Sequence, residues 1–242
     1  MPKICVIDYG IGNIHSALKG LRCFAENVVL SEDLKEIHDA DALVLPGQGA
    51  FEAGMEGLRV RGLLDEVKTA AAEGKPILGI CLGAQLLLEK GYEFGEWEGL
   101  GLIPGEVVHF PSLEGGAKTP HMGWNSIDPK NSALLVPSPL GRGWREAPGE
   151  GQTGAKAWNG TVLEGITAGT DMYFIHSFIL QPKDEAHILA ETTYGGLTFS
   201  SVVGKGSIIG CQFHPEKSGK MGLRIIENFI HLAEDASRRS PS

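Results

Sequence analysis

The chain has 242 residues, 42% of them hydrophobic, and a formal net charge of −9 at pH 7. That length buries a sizeable core as a single domain over residues 1–242, and scattered basic residues leave no cationic patch for nucleic acid or for an anionic membrane surface. With no apolar leader, no stretch long enough to span a bilayer and four cysteines lacking C-x-x-C spacing, it reads as a cytoplasmic protein without a metal site or disulfide framework, whose partners are small molecules or proteins.

Residues 3–8, KICVID, form an apolar strand-like run ending at Tyr9-Gly10-Ile11-Gly12-Asn13, after which Ile14, Leu18 and Leu21 recur at helical spacing. The Gly10-x-Gly12 pair fails the dinucleotide fingerprint, because the third glycine of G-x-G-x-x-G would fall at His15. Residues 28–30 and 42–45 read as two further strands around a weak helical turn at 32–37, and the second runs into PGQGAF at 46–51. Residues 51–74 read as helical, with Leu58, Leu63, Leu64 and Val67 facing the core. Strands alternating with helices at this spacing imply an α/β fold, a mostly parallel central sheet with helices on both faces.

Residues 76–80 are a short apolar run with β-branched members, and residues 82–88 are apolar at helical spacing, so Cys81 falls at a strand-to-helix junction. Gly79 and Gly83 flank it two residues to either side, the outline of a nucleophile elbow. A sulfur at a helix start feels the positive end of the helix dipole, which favours thiolate over thiol. Cys5, Cys23 and Cys211 read as core packing. The PGQGAF turn also follows a strand and so lies at the same sheet edge. It is either an ordinary Gly/Pro turn or a source of amides that, with the amide of Leu82, stabilise a developing oxyanion.

Residues 99–111 break into short strand-like pieces, and PHMGWN at 120–125 looks like a loop in which Trp124 is either partial core or a contact surface. Residues 136–160 hold nine Gly or Pro among twenty-five, which predicts a long flexible insertion contributing little core. Strand-like runs at 172–180, 186–193, 197–203 and 207–213 give the C-terminal half extra antiparallel strands, and a helix follows from about 218 to 233. His214 and Glu216, two apart in an extended segment, share one side of the chain, so the carboxylate can orient one imidazole nitrogen while the other takes a proton from Cys81. Attack by cysteine on an acyl carbon, then hydrolysis of the thioester, is acyl transfer to water. Amide, ester and peptide donors all remain open.

LPGQGAF at 45–51, GICLGAQLL at 79–87 and QFHPEKS at 212–218 together resemble the class I, triad-type glutamine amidotransferases. Further blocks, DYGIGNIHS at 8–16, PHMGWN at 120–125 and YFIHSF at 173–178, resemble one branch of that family, the glutaminase subunits of imidazole glycerol phosphate synthases in histidine biosynthesis. The resemblance implies that Cys81 attacks the glutamine side-chain amide, that His214 protonates the departing ammonia and that Glu216 holds His214. It places the oxyanion among backbone amides at Leu82 and the Gln48-Gly49 peptide, which must turn to face the site. It assigns Gln85, Glu93, Ser177 and Phe178 to the substrate, the Glu93 carboxylate suiting an ammonium group.

The same resemblance implies no cofactor. It implies a heterodimer with a (β/α)8-barrel cyclase subunit that receives the ammonia and makes imidazole glycerol phosphate and an aminoimidazole carboxamide nucleotide. Asn13, His121, Trp124, Tyr173 and Lys217 fall at positions near that contact. Two features depart from the family pattern: the 136–160 insertion, and Phe178 where tyrosine is common. Rival readings are a glutaminase serving pyridoxal phosphate formation, against which PHMGW speaks, and a non-catalytic scaffold, against which the intact Cys81, His214 and Glu216 speak.

Overall fold

The computed structural model describes residues 1–12, 14–130 and 158–238. The first half alternates strand and helix: β1 (Ile4–Ile7), α1 (Ile14–Arg22), β2 (Val28–Ser31), α2 (Leu34–His38), β3 (Ala42–Gly47), α3 (Phe51–Val60), α4 (Leu63–Ala72), β4 (Ile77–Cys81) and α5 (Leu82–Leu86). Strands follow: β5 (Lys90–Gly91), β6 (Trp97–Glu98), β7 (Gly105–His109), β8 (His121–Pro129), β9 (Thr170–His176), β10 (Phe178–Pro182), β11 (Ile188–Tyr194), β12 (Leu197–Lys205) and β13 (Ile208–Cys211), before the C-terminal helix α6 (Gly219–Ser237).

Five strands, in the order β2-β1-β3-β4-β13, pair in parallel. Their side chains alternate between two apolar layers, as strands covered on both faces require. Ile4 and Val6 join Leu18 and Leu21 of α1 and Ile226 and Phe229 of α6, whereas Cys5 and Ile7 join Leu58, Leu63 and Val67 on the opposite side. Beyond β13 the sheet turns antiparallel through β12 and β10 to β7, while β11 leaves β12 to pair with β8, and β8 with β9.

Several expectations are corrected. The helical stretch after Phe51 is two helices, because the chain takes a left-handed turn at Gly62 with φ 69°. PHMGWN is not a loop: from His121 onward it opens β8, whose residues 121–127 pair with β9, and burial changes from buried His121 to exposed Met122. Residues 172–180 are two strands interrupted at Ser177, so β9 and β10 belong to different pairings. The 136–160 insertion lies outside the described residues apart from its last three, and there Trp158 is core: it is buried in the same layer as α6, and its indole N–H donates to the Leu189 carbonyl at 2.8 Å. Cys23 is exposed, its thiol donating to the Lys19 carbonyl at 3.3 Å, whereas Cys5 and Cys211 are buried.

Candidate active site

Register alone brings the predicted segments together. In the β3–β4 pairing Gly47 lies opposite Cys81, and in the β13–β4 pairing Cys211 lies opposite Ile80. The PGQG turn, the Cys81 turn and the segment entering His214 therefore leave adjacent parallel strands at their carboxyl ends, where sites of open α/β sheets form. Tyr9, at the end of β1, is fully buried and ties this edge, its hydroxyl donating to the Pro46 carbonyl at 2.6 Å.

Cys81 has φ 54° and ψ −107°, a strained backbone for a residue with a side chain and the geometry of a nucleophile elbow. The flanking glycines are explained by close approach of backbone to backbone. A Cβ on Gly83 would lie 1.7 Å from the Leu45 carbonyl oxygen, and one on Gly79 would lie 2.6 Å from that of Gly83. The Cys81 sulfur donates towards the Ile175 carbonyl at 3.7 Å and receives the Gln212 side-chain N–H at 4.0 Å.

His214 and Glu216 meet as expected, but by another route. The chain does not stay extended: residues Pro215–Lys217 form a 3-10 turn, and the turn folds Oε1 of Glu216 back to 2.8 Å from Nδ1 of His214. Both side chains are almost fully buried, at 3% and 2% exposure, so the pair is little screened. Nε2 of His214 is buried and makes no hydrogen bond. Burial works to push the His214 pKa down, but the interactions with the Cys81 and Glu216 side chains outweigh it and raise the value from 6.5 to about 9. The turn is pinned from β9: the His214 amide donates to the Tyr173 carbonyl at 2.9 Å, and the Ser218 hydroxyl donates to the His214 carbonyl at 2.6 Å while accepting from the Tyr173 amide at 2.9 Å.

Cys81 opens into a cavity of about 200 Å³. That is below the usual range of about 300–1,000 Å³ for drug-sized ligands, a size for a small metabolite. Gln48, Gly49 and Leu82 line it, as do Gln85, Glu93, Ser177 and Phe178. Gln85 is held by Nε2 donating to the Phe178 carbonyl and to Oε1 of Gln212, each at 3.3 Å. Glu93 accepts the Phe51 amide at 2.7 Å, which caps the start of α3 with a carboxylate. Sequence reasoning missed Pro120, Ile175 and His176, which also line the cavity, and Gln212, which touches the sulfur. All four lie inside the family-like blocks, so membership of those blocks was the available signal. Among the described residues no group of His, Cys, Asp or Glu is arranged to hold a metal ion, and no helix is long and apolar enough to cross a membrane.

The expected partner contacts divide. Trp124 is 55% exposed, with its ring edge-on to Tyr173 at 5.9 Å, and Met122 beside it is 63% exposed. Lys217 is half-buried near this surface, in the turn held by β9. His121, which opens the same strand, is fully buried, with its side chain in the interior. Asn13 lies outside the described residues.

The class-I glutamine amidotransferase family model matches residues 5–233. An imidazole glycerol phosphate synthase subunit HisH 1 from Legionella pneumophila is 42% identical over 235 residues, covering 96% of this chain and 100% of the relative. The HisH subunit of Lactococcus lactis is 41% identical, covering 95% and 98%, and that of Aquifex aeolicus 40% identical, covering 96% and 98%. Among solved structures, PurLQS from Thermotoga maritima superposes with a TM-score of 0.62 over 95% of this chain and 98% of that one, at 19% identity, which speaks to the fold. On the family match and on near-full-length identity, the chain belongs to the class-I glutamine amidotransferases and, within them, to the HisH subunits of imidazole glycerol phosphate synthase.

Proposed function

We propose that this chain hydrolyses glutamine to glutamate and ammonia and hands the ammonia to a cyclase subunit for imidazole glycerol phosphate formation in histidine biosynthesis. The Cys81 sulfur attacks the side-chain amide carbon with its proton already held on Nε2 of His214. The amides of Leu82 and Gly49 hold the oxyanion of the tetrahedral intermediate, the Gln48-Gly49 peptide turning to do so. Collapse breaks the C–N bond, His214 returns the proton to the leaving nitrogen, and ammonia departs from a thioester. Water then attacks the thioester with His214 as base, releasing glutamate and the thiol. Gln85, Glu93 and the 177–178 main chain bind the amino-acid end of the substrate, with Glu93 opposite the ammonium.

The observation that carries this reading is a cysteine in a strained elbow, at the mouth of a cavity lined by a carboxylate, with a buried His214–Glu216 pair behind it. The relatives' name implies a partner subunit. We infer that it is a (β/α)8 barrel docking over exposed Trp124 and Met122, a contact that keeps ammonia from becoming ammonium in water. A reducing, cytoplasmic compartment suits the free thiols. The test is Cys81→Ala in the complex that co-purifies with the chain. Ammonia release from glutamine should fall to background while the complex stays assembled and still cyclises with added ammonia. Undiminished glutamine turnover would remove Cys81 from the mechanism.

A further inference from the structure

The hydrolytic reading leaves two buried histidines unused. They form a line of three hydrogen bonds along one wall of the cavity. Nδ1 of His176 meets the Phe178 carbonyl at 2.8 Å, Nε2 of His176 meets Nδ1 of His121 at 3.1 Å, and Nε2 of His121 meets Oδ1 of Asn125 at 2.9 Å. Both ends of the line are acceptors. A carbonyl carries no proton, and Asn125 is fixed with its oxygen towards His121 because its Nδ2 donates to the Thr193 carbonyl at 3.3 Å. Three bonds between two acceptors and four ring nitrogens need three ring protons, whereas two neutral imidazoles carry two.

We propose that the His121–His176 pair holds one proton more than two neutral rings, with His121 as the cation, and that this proton fixes the cavity wall 175–178 in its substrate-binding position. A second observation supports the charge. The His121 ring is sandwiched between the faces of Phe174, at 4.8 Å and 23°, and Tyr194, at 4.0 Å and 22°, and aromatic faces attract a cation. The remaining groups packed on it, Phe110 and Phe199, are apolar. Of the titratable neighbours, Tyr194 presents its ring face and His214 acts on His176, and it is His121 that lies between two aromatic faces, so it is the ring that carries the charge. Burial draws the His121 pKa below its ordinary value, outweighing the hydrogen bond to Asn125 that draws it up; the charge rests on the proton count of the three hydrogen bonds and on the two aromatic faces on the ring. His176, pushed by burial to about 3, stays neutral and offers its Nε2 lone pair.

The consequence reaches the substrate side through main chain. The Phe178 carbonyl accepts from both His176 and Gln85, and the Ile175 carbonyl faces the Cys81 sulfur. Loss of the third proton removes one of the three bonds and frees the His176 ring to turn away from Phe178. His121 and His176 are thus positioning residues. The link to glutamine rests on the function proposed above; the protonation state does not.

Nitrogen-15 NMR of the full chain labelled at histidine, titrated from pH 5 to 9, reads the ring protons directly. We expect one doubly protonated ring, His121, with a midpoint above the ordinary value of about 6.5, beside a neutral His176 protonated at Nδ1. Asn125 is partly exposed, so its variants are expected to fold. Asn125→Asp should raise the midpoint and Asn125→Leu should lower it. Glutamine affinity of the Cys81→Ala chain, measured by calorimetry, should weaken about tenfold above the midpoint, one buried hydrogen bond's worth, and that transition should move with the Asn125 variants. A His121 midpoint at or below about 6.5 overturns the charged pair whether or not glutamine binds. A charged His121 with glutamine affinity indifferent to its titration overturns the positioning role.

Discussion

Glu216→Gln separates shape from charge in the buried pair. The amide keeps an oxygen at the place of Oε1, so Nδ1 of His214, 2.8 Å away, still finds an acceptor and the ring keeps its tautomer. What is lost is the negative charge that helps raise the His214 pKa from 6.5 to about 9. A raised histidine pKa means that the folded chain holds a proton the unfolded chain has released. The stabilisation is therefore complete below pH 6.5 and is lost as pH rises towards 9. At about 1.36 kcal/mol per pH unit the interval is worth about 3 kcal/mol, shared between Cys81 and Glu216 as the groups that raise the value. Urea unfolding of wild type and Glu216→Gln at pH 6 and pH 10 should give a stability gap that shrinks at the higher pH by about 1–2 kcal/mol, the carboxylate's share. In the assembled complex kcat for glutamine should fall about 100- to 10,000-fold, because a neutral orienter does not stabilise the imidazolium that forms. A gap that is constant or widens between pH 6 and pH 10 would refute the account, since it would mean that the His214 proton is not shared with Glu216.

Gly83→Ala should be among the most damaging single-methyl additions in the chain, because its Cβ would press on the backbone oxygen of Leu45 and nothing there is a flexible side-chain end. The expected cost is about 3 kcal/mol or more, at the upper end for overpacking, read as a lower midpoint in thermal or urea unfolding, and a midpoint within error of wild type would show that β3 and α5 are not in contact. Gln212→Glu should slow iodoacetamide alkylation of Cys81 at pH 7 more than about tenfold, as a buried like charge beside the sulfur disfavours thiolate, whereas Gln212→Met, which removes the donor without adding charge, should slow it less. Equal alkylation rates in all three proteins would mean that the 4.0 Å approach of Gln212 to sulfur has no chemical weight.

The parallel half of the fold was legible because its signals are local. Apolar runs such as ICVI and ILGIC are buried on both faces, and the turns that follow them carry glycine, so period and punctuation point the same way. Cys81 was legible for the same reason, as a nucleophile between two glycines at a strand end. The errors fall where a local pattern is overruled from a distance. PHMGWN has loop composition, but strand pairing with β9 supplies the hydrogen bonds that composition cannot report. Trp158 sits at the end of a Gly/Pro-rich segment and is nonetheless held in the core by Leu189, 31 positions away.

His214 and Glu216 show how a right conclusion can rest on the wrong geometry. The two-residue spacing suggested an extended segment, whereas a 3-10 turn brings the same atoms together more tightly and buries them. The turn also explains a dependence that spacing alone conceals. Its backbone is hydrogen-bonded to Tyr173, whose ring meets the exposed Trp124, and two residues along the same strand the Ile175 carbonyl faces Cys81. One strand thus touches the nucleophile, the base and the surface assigned to the partner. A displacement of β9 at that surface would act on both catalytic groups at once, so the isolated chain should hydrolyse glutamine far more slowly than the assembled complex. Comparable rates in the two would show that β9 is already in its working position without a partner.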